Sequence, residues 1–418
     1  MGIAESLFGT DGRILRERDF QALLLANLLG PLGTGVLSPI LNSLIDPFGT
    51  STADVGLLIS FFTAPAIVMI PVAGLLADRV GRKPILLAGL VLLGAAGTAI
   101  AFTTDFRVAL GLRLLQGAAF GGITPIIITS LGDIYEGSEE ATAQGIRFTG
   151  SGLSSAAFPL LSGVLVVAAW QYPFFLYAAS FPVAVVVYLW FEEPTDGDRE
   201  RTSSLGTRLR ALGELVTRRR VFAMVVARGL PMFVWIGFTT YNSIVVVELL
   251  SGSPTAAGAM FAIGSVLYAA SASQAGRLTD RFGSRFYPLV GANLCLGAGF
   301  GLFVFAPTLA VAALGVTVLG IGFGVCMSLY RSIITGFATE SLRGSFVSLA
   351  EAFGRVTSTA TPVLMGAVIA ATEPSMGIAG AVRTAGVGAA LLSGGGVLVL
   401  VVAVTAPAVK MGVETVSE

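Results

Sequence analysis

Long, unbroken runs of apolar residues are separated by short polar turns along the 418-residue chain. The runs are continuous, whereas the strands of a transmembrane barrel alternate apolar and polar residues. About 20 apolar residues let a helix cross the roughly 30 Å hydrocarbon core of a bilayer. The pattern therefore predicts an all-α integral membrane protein with twelve transmembrane helices. The first five predicted helices lie near residues 20–45, 55–77, 84–103, 107–133 and 145–163, and the sixth ends at residue 190. The other six lie near 221–247, 255–275, 287–306, 308–330, 345–370 and 385–408.

An internal repeat divides these helices into two groups of six. Three landmarks recur at a spacing of 202 or 203 residues: the turn after the second helix, a glycine-rich stretch of the fourth helix, and a Pro/Gly pair of the fifth. Transporters are commonly built from such repeats. We expect two pseudo-symmetric six-helix halves, residues 1–191 and 221–418, joined by a polar linker at 192–220.

Composition narrows the possible functions. The chain is 54% hydrophobic and 12% charged, against about 25% charged residues in average soluble proteins. The net charge of zero gives no sign of a nucleic-acid partner. There is no histidine, and both cysteines lie within apolar runs. We therefore expect no cofactor, no metal, no disulfide and no enzymatic activity.

Basic residues concentrate on one side of the predicted membrane. The N-terminal segment, the turns at 78–83 and 277–285, the linker, Arg343 and Lys410 fall on this side, and only Arg107 and Arg383 fall near the other. By the positive-inside rule we expect both termini to be cytoplasmic. We expect the location to be the plasma membrane of a prokaryotic cell.

One polar turn carries a specific motif. Residues 74–83 fit the pattern Gly-x-x-x-Asp-Arg-x-Gly-Arg-Lys, with Gly74, Asp78, Arg79, Gly81, Arg82 and Lys83 at the fixed positions. This resembles the loop between the second and third helices of major facilitator superfamily transporters. Arg113-x-x-Gln116-Gly117 resembles the fourth helix of proton-coupled members. The Gly/Pro-rich fifth helix and the turn at 170–174 resemble those of drug/proton antiporters.

The resemblance implies a conformational latch on the side of the membrane where the basic residues concentrate. Asp78 would lie at the N-terminus of the eleventh helix, which we expect to begin near Ser345, and Arg82 would pair with Asp133. The glycines of the turn would permit close helix approach. A second, weaker latch is expected at the repeat of the turn, where the final basic residue is missing. Its residues are Gly276, Asp280, Arg281 and Gly283.

The resemblance also implies alternating access by a monomeric transporter. We expect proton-coupled efflux of a small hydrophobic or amphipathic organic solute. Two alternatives stay open: a facilitator or proton symporter for a nutrient such as a sugar or organic acid, and a membrane sensor on the same fold that does not transport.

Charges within predicted spans are candidates for coupling, because each costs about 2.5–3.5 kcal/mol at the centre of a span. Five qualify: Arg113, Arg228, Arg331, Glu351 and Arg355. Glu351 and Arg355 are four residues apart and can pair on one helix face. Glu351 is either a proton carrier or half of a static ion pair. For Arg113 the resemblance favours coupling or contact with an anion.

Polar and aromatic residues in the first, fourth and seventh spans are candidates for the substrate cavity. They are chosen by position along the spans, and helix packing explains them equally well. They are Asn27, Thr34, Asn42, Gln116, Phe233, Trp235, Tyr241 and Asn242.

Overall fold

A computed structural model describes residues 9–193, 219–337 and 340–405, with the side chains of 9–12, 78, 219–221, 335–337, 340–349 and 400–405 outside that description. Most of the predicted linker therefore lies outside the described residues. No strand occurs within the described ranges. The predicted all-α membrane fold is confirmed.

The first span is broken, as its proline and glycines predict. Helix Arg18–Leu28 stops before Pro31, and short helices follow at Leu32–Gly35, Asn42–Leu44 and Ile45–Phe48. The next five spans are more regular. They are Leu57–Val80, Arg82–Ala99 with a 3₁₀ turn at Ile100–Phe102, Phe106–Ile134, Gly137–Ala168, and Tyr172–Ala179 continuing as Ser180–Trp190.

The second half begins with the seventh span. Its helices are Arg219–Ile244 with a π-helical end at Val245–Leu249, Pro254–Phe282, Phe286–Val304, Leu309–Phe337 and Glu340–Thr405.

The eleventh and twelfth spans are longer than expected at the ends where they meet. Residues 371–384, which lie between the two predicted spans, are helical except at Gly377, where φ is 67° and ψ is 173°. Glycine adopts this conformation at no steric cost. The chain reverses there, because Gly354 lies beside Arg228 and Gly396 lies beside Leu230. The two spans therefore meet in a tight helical hairpin.

The described chain makes twelve passes. Ten helical segments are long and apolar enough to cross a membrane. The last of them, Ala350–Val399, contains the reversal at Gly377 and supplies two passes. The broken first span supplies the twelfth.

The repeat is visible in helix packing. A Cβ on Gly117 of the fourth span would lie 2.1 Å from the carbonyl oxygen of Phe62 in the second span. A Cβ on Gly320 of the tenth span would lie 2.6 Å from the carbonyl oxygen of Gly264 in the eighth span. Small residues allow such close approach of membrane helices. Equivalent glycines thus fix equivalent helix pairs in the two halves.

Candidate functional site

A central cavity lies between the two halves. It has two lobes of about 340 and about 1000 Å³, at least as large as typical small-molecule sites. The lobes share Gly30, Thr34, Phe120, Tyr268, Met327, Arg331 and Arg355. The first, fourth, eighth, tenth and eleventh spans all contribute to this shared wall. One site therefore contacts both halves.

We call the side on which the first span begins and the turns at Gly81 and Gly283 lie the basic side. The larger lobe extends toward it, past Arg147 of the fifth span and Ser273 of the eighth. The other side, the far side, is closed by contacts between the halves.

The fifth and eighth spans close the far side through reciprocal glycines. A Cβ on Gly163 would lie 2.5 Å from the carbonyl oxygen of Pro254, and a Cβ on Gly258 would lie 2.5 Å from that of Pro159. The hydroxyl of Thr255 donates to the carbonyl oxygen of Gly163 at 3.0 Å. The two backbones therefore touch at two points where no other side chain fits.

Contacts of the first, seventh and eleventh spans complete this closure. A Cβ on Gly366 of the eleventh span would lie 2.3 Å from the carbonyl oxygen of Ala53. The backbone N–H of Asn42 donates to the hydroxyl of Ser243 at 3.1 Å, and its side-chain amide donates to Glu248 at 3.0 Å. We call the glycine contacts and these hydrogen bonds together the far-side seal.

The prediction that Glu351 pairs with Arg355 is wrong for the described structure. The carboxylate of Glu351 accepts from the guanidinium of Arg228 at 2.5 Å, and Arg228 also donates to the carbonyl oxygen of Ala350 at 2.8 Å. The seventh span brings Arg228 alongside Glu351. Arg355, one turn along the helix, lies instead over the ring of Phe120 at 5.8 Å from its centroid.

Arg113 does not line the cavity, so the expected contact with an anion is not made in this conformation. Its side chain is fully buried and lies 4.4 Å from the centroid of the Phe62 ring. The guanidinium donates to neutral acceptors in four places: the carbonyl oxygens of Gly33 and Leu58, the side-chain oxygen of Gln116, and the hydroxyl of Tyr177. Arg113 thus links the first, second, fourth and sixth spans.

Three of the eight cavity candidates line the cavity. Asn27 and Thr34 form part of the first span's contribution, and Trp235 lies in the smaller lobe. Asn27 is held by Arg147, since its side-chain oxygen accepts from Nη1 at 3.2 Å and its amide donates to the backbone carbonyl at 3.0 Å. Trp235 stacks on Phe323 with ring centroids 4.6 Å apart.

The other five candidates lie outside the cavity wall, and their expected placement is corrected. Asn42 belongs to the far-side seal. Gln116 is buried against Arg113, and Phe233 packs in the apolar core. The hydroxyl of Tyr241 donates to the carbonyl oxygen of Pro362 at 3.5 Å. The side-chain amide of Asn242 donates to the carbonyl oxygen of Ala257 at 2.8 Å. These residues point to neighbouring helices, which span position alone does not reveal.

The turn at 78–83 contains the expected pair between Arg82 and Asp133. A carboxylate that the motif does not include also holds the turn. Glu193, after the sixth span, accepts from the backbone N–H groups of Arg82 at 2.6 Å and Lys83 at 2.8 Å. Gly81 has φ of 90°, and a Cβ there would lie 2.9 Å from this carboxylate. Glu193 thus caps the third span.

The other latch residues are more open. Arg79 is exposed, and the ammonium group of Lys83 lies 5.6 Å from the ring centroid of Tyr188. The side chain of Asp78 lies outside the described residues, as do those at the start of the eleventh span, which begins at Glu340 rather than near Ser345. The expected contact between them stays a prediction.

Close helix approach at Gly74 stays a prediction, because the side chains at the start of the eleventh span lie outside the described residues. No described atom lies within 4 Å of a Cβ built on Gly74 or Gly276. The cavity extends to the basic side, which separates the two halves there. In the repeated turn Asp280 and Arg281 are exposed, and Gly283 ends the eighth span with φ of 60°.

The sequence model described as "Major Facilitator Superfamily" matches residues 23–362 and 232–411 of the chain. These matches cover most of the chain and both halves. The chain belongs to the major facilitator superfamily.

Curated relatives within the superfamily include efflux proteins. The tetracycline resistance protein of class H from Pasteurella multocida is 23% identical over 79% of this chain and 85% of that protein. The bacillibactin exporter of Bacillus subtilis is 32% identical over 37% of this chain, and the match spans only 40% of that protein. The quinolone resistance protein NorA of Staphylococcus aureus is 26% identical over 37% of this chain and 40% of its own length.

Solved structures show the same fold. A bacterial homologue of the human lysosomal transporter Spinster, in an inward-facing and occupied conformation, has a TM-score of 0.78 at 17% identity. It covers 92% of this chain and 96% of its own. The nucleoside transporter NupG has a TM-score of 0.75 at 14% identity over 93% and 100% of the two chains. At these identities the likeness shows the superfamily fold alone.

Sequence reasoning missed much of the cavity wall of this superfamily member, including Arg147 and three aromatic residues, and it missed Glu193. Arg147 was missed because the predicted fifth span, around 145–163, leaves it at the very end of the span, whereas the helix begins at Gly137 and places Arg147 well inside it. The three aromatic residues are Phe120, Tyr268 and Phe323. Aromatic residues occur throughout the spans, so only the packed helices distinguish those that face the cavity.

Proposed function

We propose that the protein is a proton-coupled efflux transporter that moves a small amphipathic organic solute out of the cell. The observation that carries this proposal is the central cavity, which lies between two repeat-related halves and is closed on the far side. Such a cavity suits alternating access, in which the halves rock about a fixed site. The efflux proteins among the relatives support export as the direction.

The orientation follows from the basic turns. We propose that the basic side faces the cytoplasm of a prokaryotic cell and that both termini lie there. The cavity of this conformation is then open to the cytoplasm, where an exporter collects its solute. We also propose that the protein works as a monomer, because described residues from both halves of one chain line the cavity.

Glu351 is the proposed proton carrier. Its side chain is 43% exposed, so it can exchange a proton with water in the cavity, while that of its partner Arg228 is only 7% exposed. Protonation removes the charge of Glu351 and weakens the charge-assisted bond to Arg228. That bond joins the seventh and eleventh spans, so its loss changes how two helices of the cavity wall are held together.

Proteoliposomes that contain a pH-sensitive dye test this function. A proton gradient is imposed, and lipophilic cations, organic acids and sugars are added in turn. We expect one class of amphipathic solute to move protons across the membrane. Glu351→Gln should abolish proton movement while solute binding is retained. Glu373→Gln is the matched control, because this carboxylate lies on the same helical stretch but does not line the cavity.

Other outcomes would contradict the proposal. Proton-driven flux that survives in Glu351→Gln would exclude Glu351 as the carrier. Solute flux without proton movement would indicate a facilitator. Binding without flux of any solute would indicate a sensor.

A further inference from the structure

Aromatic rings from both halves of the chain line the smaller lobe. Among the described residues they are Phe62, Phe120, Trp235, Tyr268 and Phe323. Phe120 of the fourth span and Phe323 of the tenth are 203 residues apart, which is the spacing of the repeat. The repeat therefore places an aromatic side chain at the equivalent position of each half, and both of these side chains reach the same lobe.

The rings of the second half are held in place by one another. Trp235 and Tyr268 are half-buried, whereas Phe323 is buried. Phe323 stacks on Trp235 with the ring centroids 4.6 Å apart, and its centroid lies 5.1 Å from that of Tyr268. Because Phe323 packs against both rings, they lose little freedom when a ligand contacts them. Rings of this kind accept another flat ring by offset or edge contacts.

Two hydroxyl groups on the wall shared by the lobes keep their hydrogen-bonding capacity. Thr34 and Tyr268 line both lobes. Within the described ranges no group hydrogen-bonds to either side-chain hydroxyl, and neither oxygen is enclosed. The hydroxyls of Thr63 and Ser358 in the smaller lobe instead donate to carbonyl oxygens one turn away on their own helices. Since a hydroxyl both donates and accepts, Thr34 and Tyr268 can each bond to a bound molecule.

We propose that the smaller lobe binds a flat, fused-ring part of the transported solute. This part lies against Trp235 and Tyr268, and it carries a hydroxyl or carbonyl group bonded to the hydroxyl of Tyr268. The lobe of about 340 Å³ has the size of a small-molecule site, and the lobe of about 1000 Å³ leaves room for the rest of the solute. This inference rests on the proposed transport function, because it treats the cavity as the path of the solute.

Three uncharged probes separate flatness from hydrogen bonding. The first, 2-naphthol, is flat and has a hydroxyl; 2-methylnaphthalene is flat without one; decahydro-2-naphthol has the hydroxyl on a puckered skeleton. Binding of tritiated 2-naphthol to the full chain in phosphatidylcholine nanodiscs is measured by scintillation proximity, and the other probes compete with it. Empty nanodiscs correct for partition into lipid. We expect 2-naphthol to bind at least about tenfold more tightly than decahydro-2-naphthol, because only the flat ring matches the aromatic wall.

Removal of one hydroxyl tests the assigned hydrogen bond. Tyr268→Phe should weaken 2-naphthol binding about fivefold and leave 2-methylnaphthalene binding unchanged, because the ring stays and only the hydrogen bond is lost. A structural defect would weaken the binding of both probes. Tyr188→Phe is the matched control, since this exposed tyrosine does not line the cavity. It should bind both probes as the parent protein does.

Loss of one ring tests the flat contact. Trp235→Leu should reduce the preference for 2-naphthol over decahydro-2-naphthol from about tenfold to about twofold, because leucine is apolar but not flat. Tyr268→Leu provides the same comparison if Trp235→Leu does not fold. Phe175→Leu is the matched control, since this exposed ring does not line the cavity. Its preference should equal that of the parent protein.

The outcomes separate this inference from the proposed function. Equal affinity for 2-naphthol and decahydro-2-naphthol, or no binding of 2-naphthol, would overturn the flat-ring site. In Tyr268→Phe, an equal loss for both flat probes or no loss for either would overturn the hydrogen bond. In the proteoliposomes, proton movement driven equally by 2-naphthol and decahydro-2-naphthol would leave efflux standing and overturn the ring preference. The expected binding pattern without proton movement would leave the site standing and contradict proton-coupled efflux.

Discussion

Alanine in place of Gly163 should shift the protein away from the conformation in which the far side is closed. Gly163 faces the backbone of the eighth span, where its Cβ would lie 2.5 Å from the carbonyl oxygen of Pro254. Ordinary contacts of a Cβ are 3.4–4 Å, so the helices must separate by about 1 Å to admit it. The obstacle is backbone, which cannot rotate aside as a side chain can.

The magnitude follows from this geometry. Extra methyl groups in well-packed contacts cost about 1–3 kcal/mol. The higher helix propensity of alanine acts equally in both conformations and cancels. The ratio of far-side-closed to far-side-open molecules should therefore fall by a factor of about 5 to 150. Separation also lengthens the 3.0 Å hydrogen bond from Thr255 to Gly163, which acts in the same direction.

Cysteine accessibility measures this shift. Cys295 and Cys326 are first replaced, and Ser38→Cys is introduced as the reporter, because Ser38 is fully buried where the first span meets the seventh. A membrane-impermeant maleimide added to the far side should label the reporter several-fold faster when Gly163→Ala is present.

Gly145→Ala is the matched control for this experiment. Gly145 lies in the same span, but no described atom comes within 4 Å of a Cβ built on it. Its alanine variant should label at the parental rate. If Gly163→Ala also labels at that rate, the close backbone contact does not hold the far side closed, and the reasoning fails.

Three further predictions concern stability, followed by thermal unfolding in detergent. The Glu193→Ala variant should lose about 1 kcal/mol of unfolding free energy, because the cap of the third span is removed. The neighbouring Glu192→Ala variant should be nearly as stable as the parent protein. Arg113→Lys should lose at least about 2 kcal/mol, since an ammonium cannot serve all four acceptors, whereas the exposed Arg107→Lys should lose little. Tyr135→Phe should lose about 1 kcal/mol, because its hydroxyl donates to a glutamate at 2.6 Å. Burial and this bond raise the pKa of Tyr135 above its ordinary value of 10.0, so the loss should be constant from about pH 6 to about pH 9 and should shrink only as the pH rises through the folded-state pKa.

Much of the fold could be predicted from the sequence. Continuous apolar runs locate helices because a membrane leaves no other way to pair backbone groups along a span. The repeat was predictable because its landmarks recur at a fixed spacing, and the Arg82–Asp133 pair was predictable because the motif at 74–83 resembles that of the superfamily. The helical form of the hairpin at Gly377 was not, because Pro374 and Gly377 are residue types that usually mark turns and loops.

The site was less predictable than the fold. Span position gives the depth of a residue but not the direction of its side chain, which explains why Thr34 lines the cavity and Gln116 does not. The partner of Glu351 was missed for a related reason. Spacing along one helix made Arg355 a candidate, whereas Arg228 approaches from another helix more than 100 residues away in sequence.

The far-side seal is made of touching backbones and hydrogen bonds whose donors are uncharged, and Glu248 is its only described ionised group. Contact attraction between neutral groups has a short range, and a gap of about 0.5–1 Å forfeits a quarter to a half of it. The seal therefore cannot loosen by degrees, and it separates in one step once the helices begin to part. Dissolved ions weaken interactions between charges, and the seal contains few charged groups. The switch between the two faces should accordingly be abrupt and nearly indifferent to ionic strength.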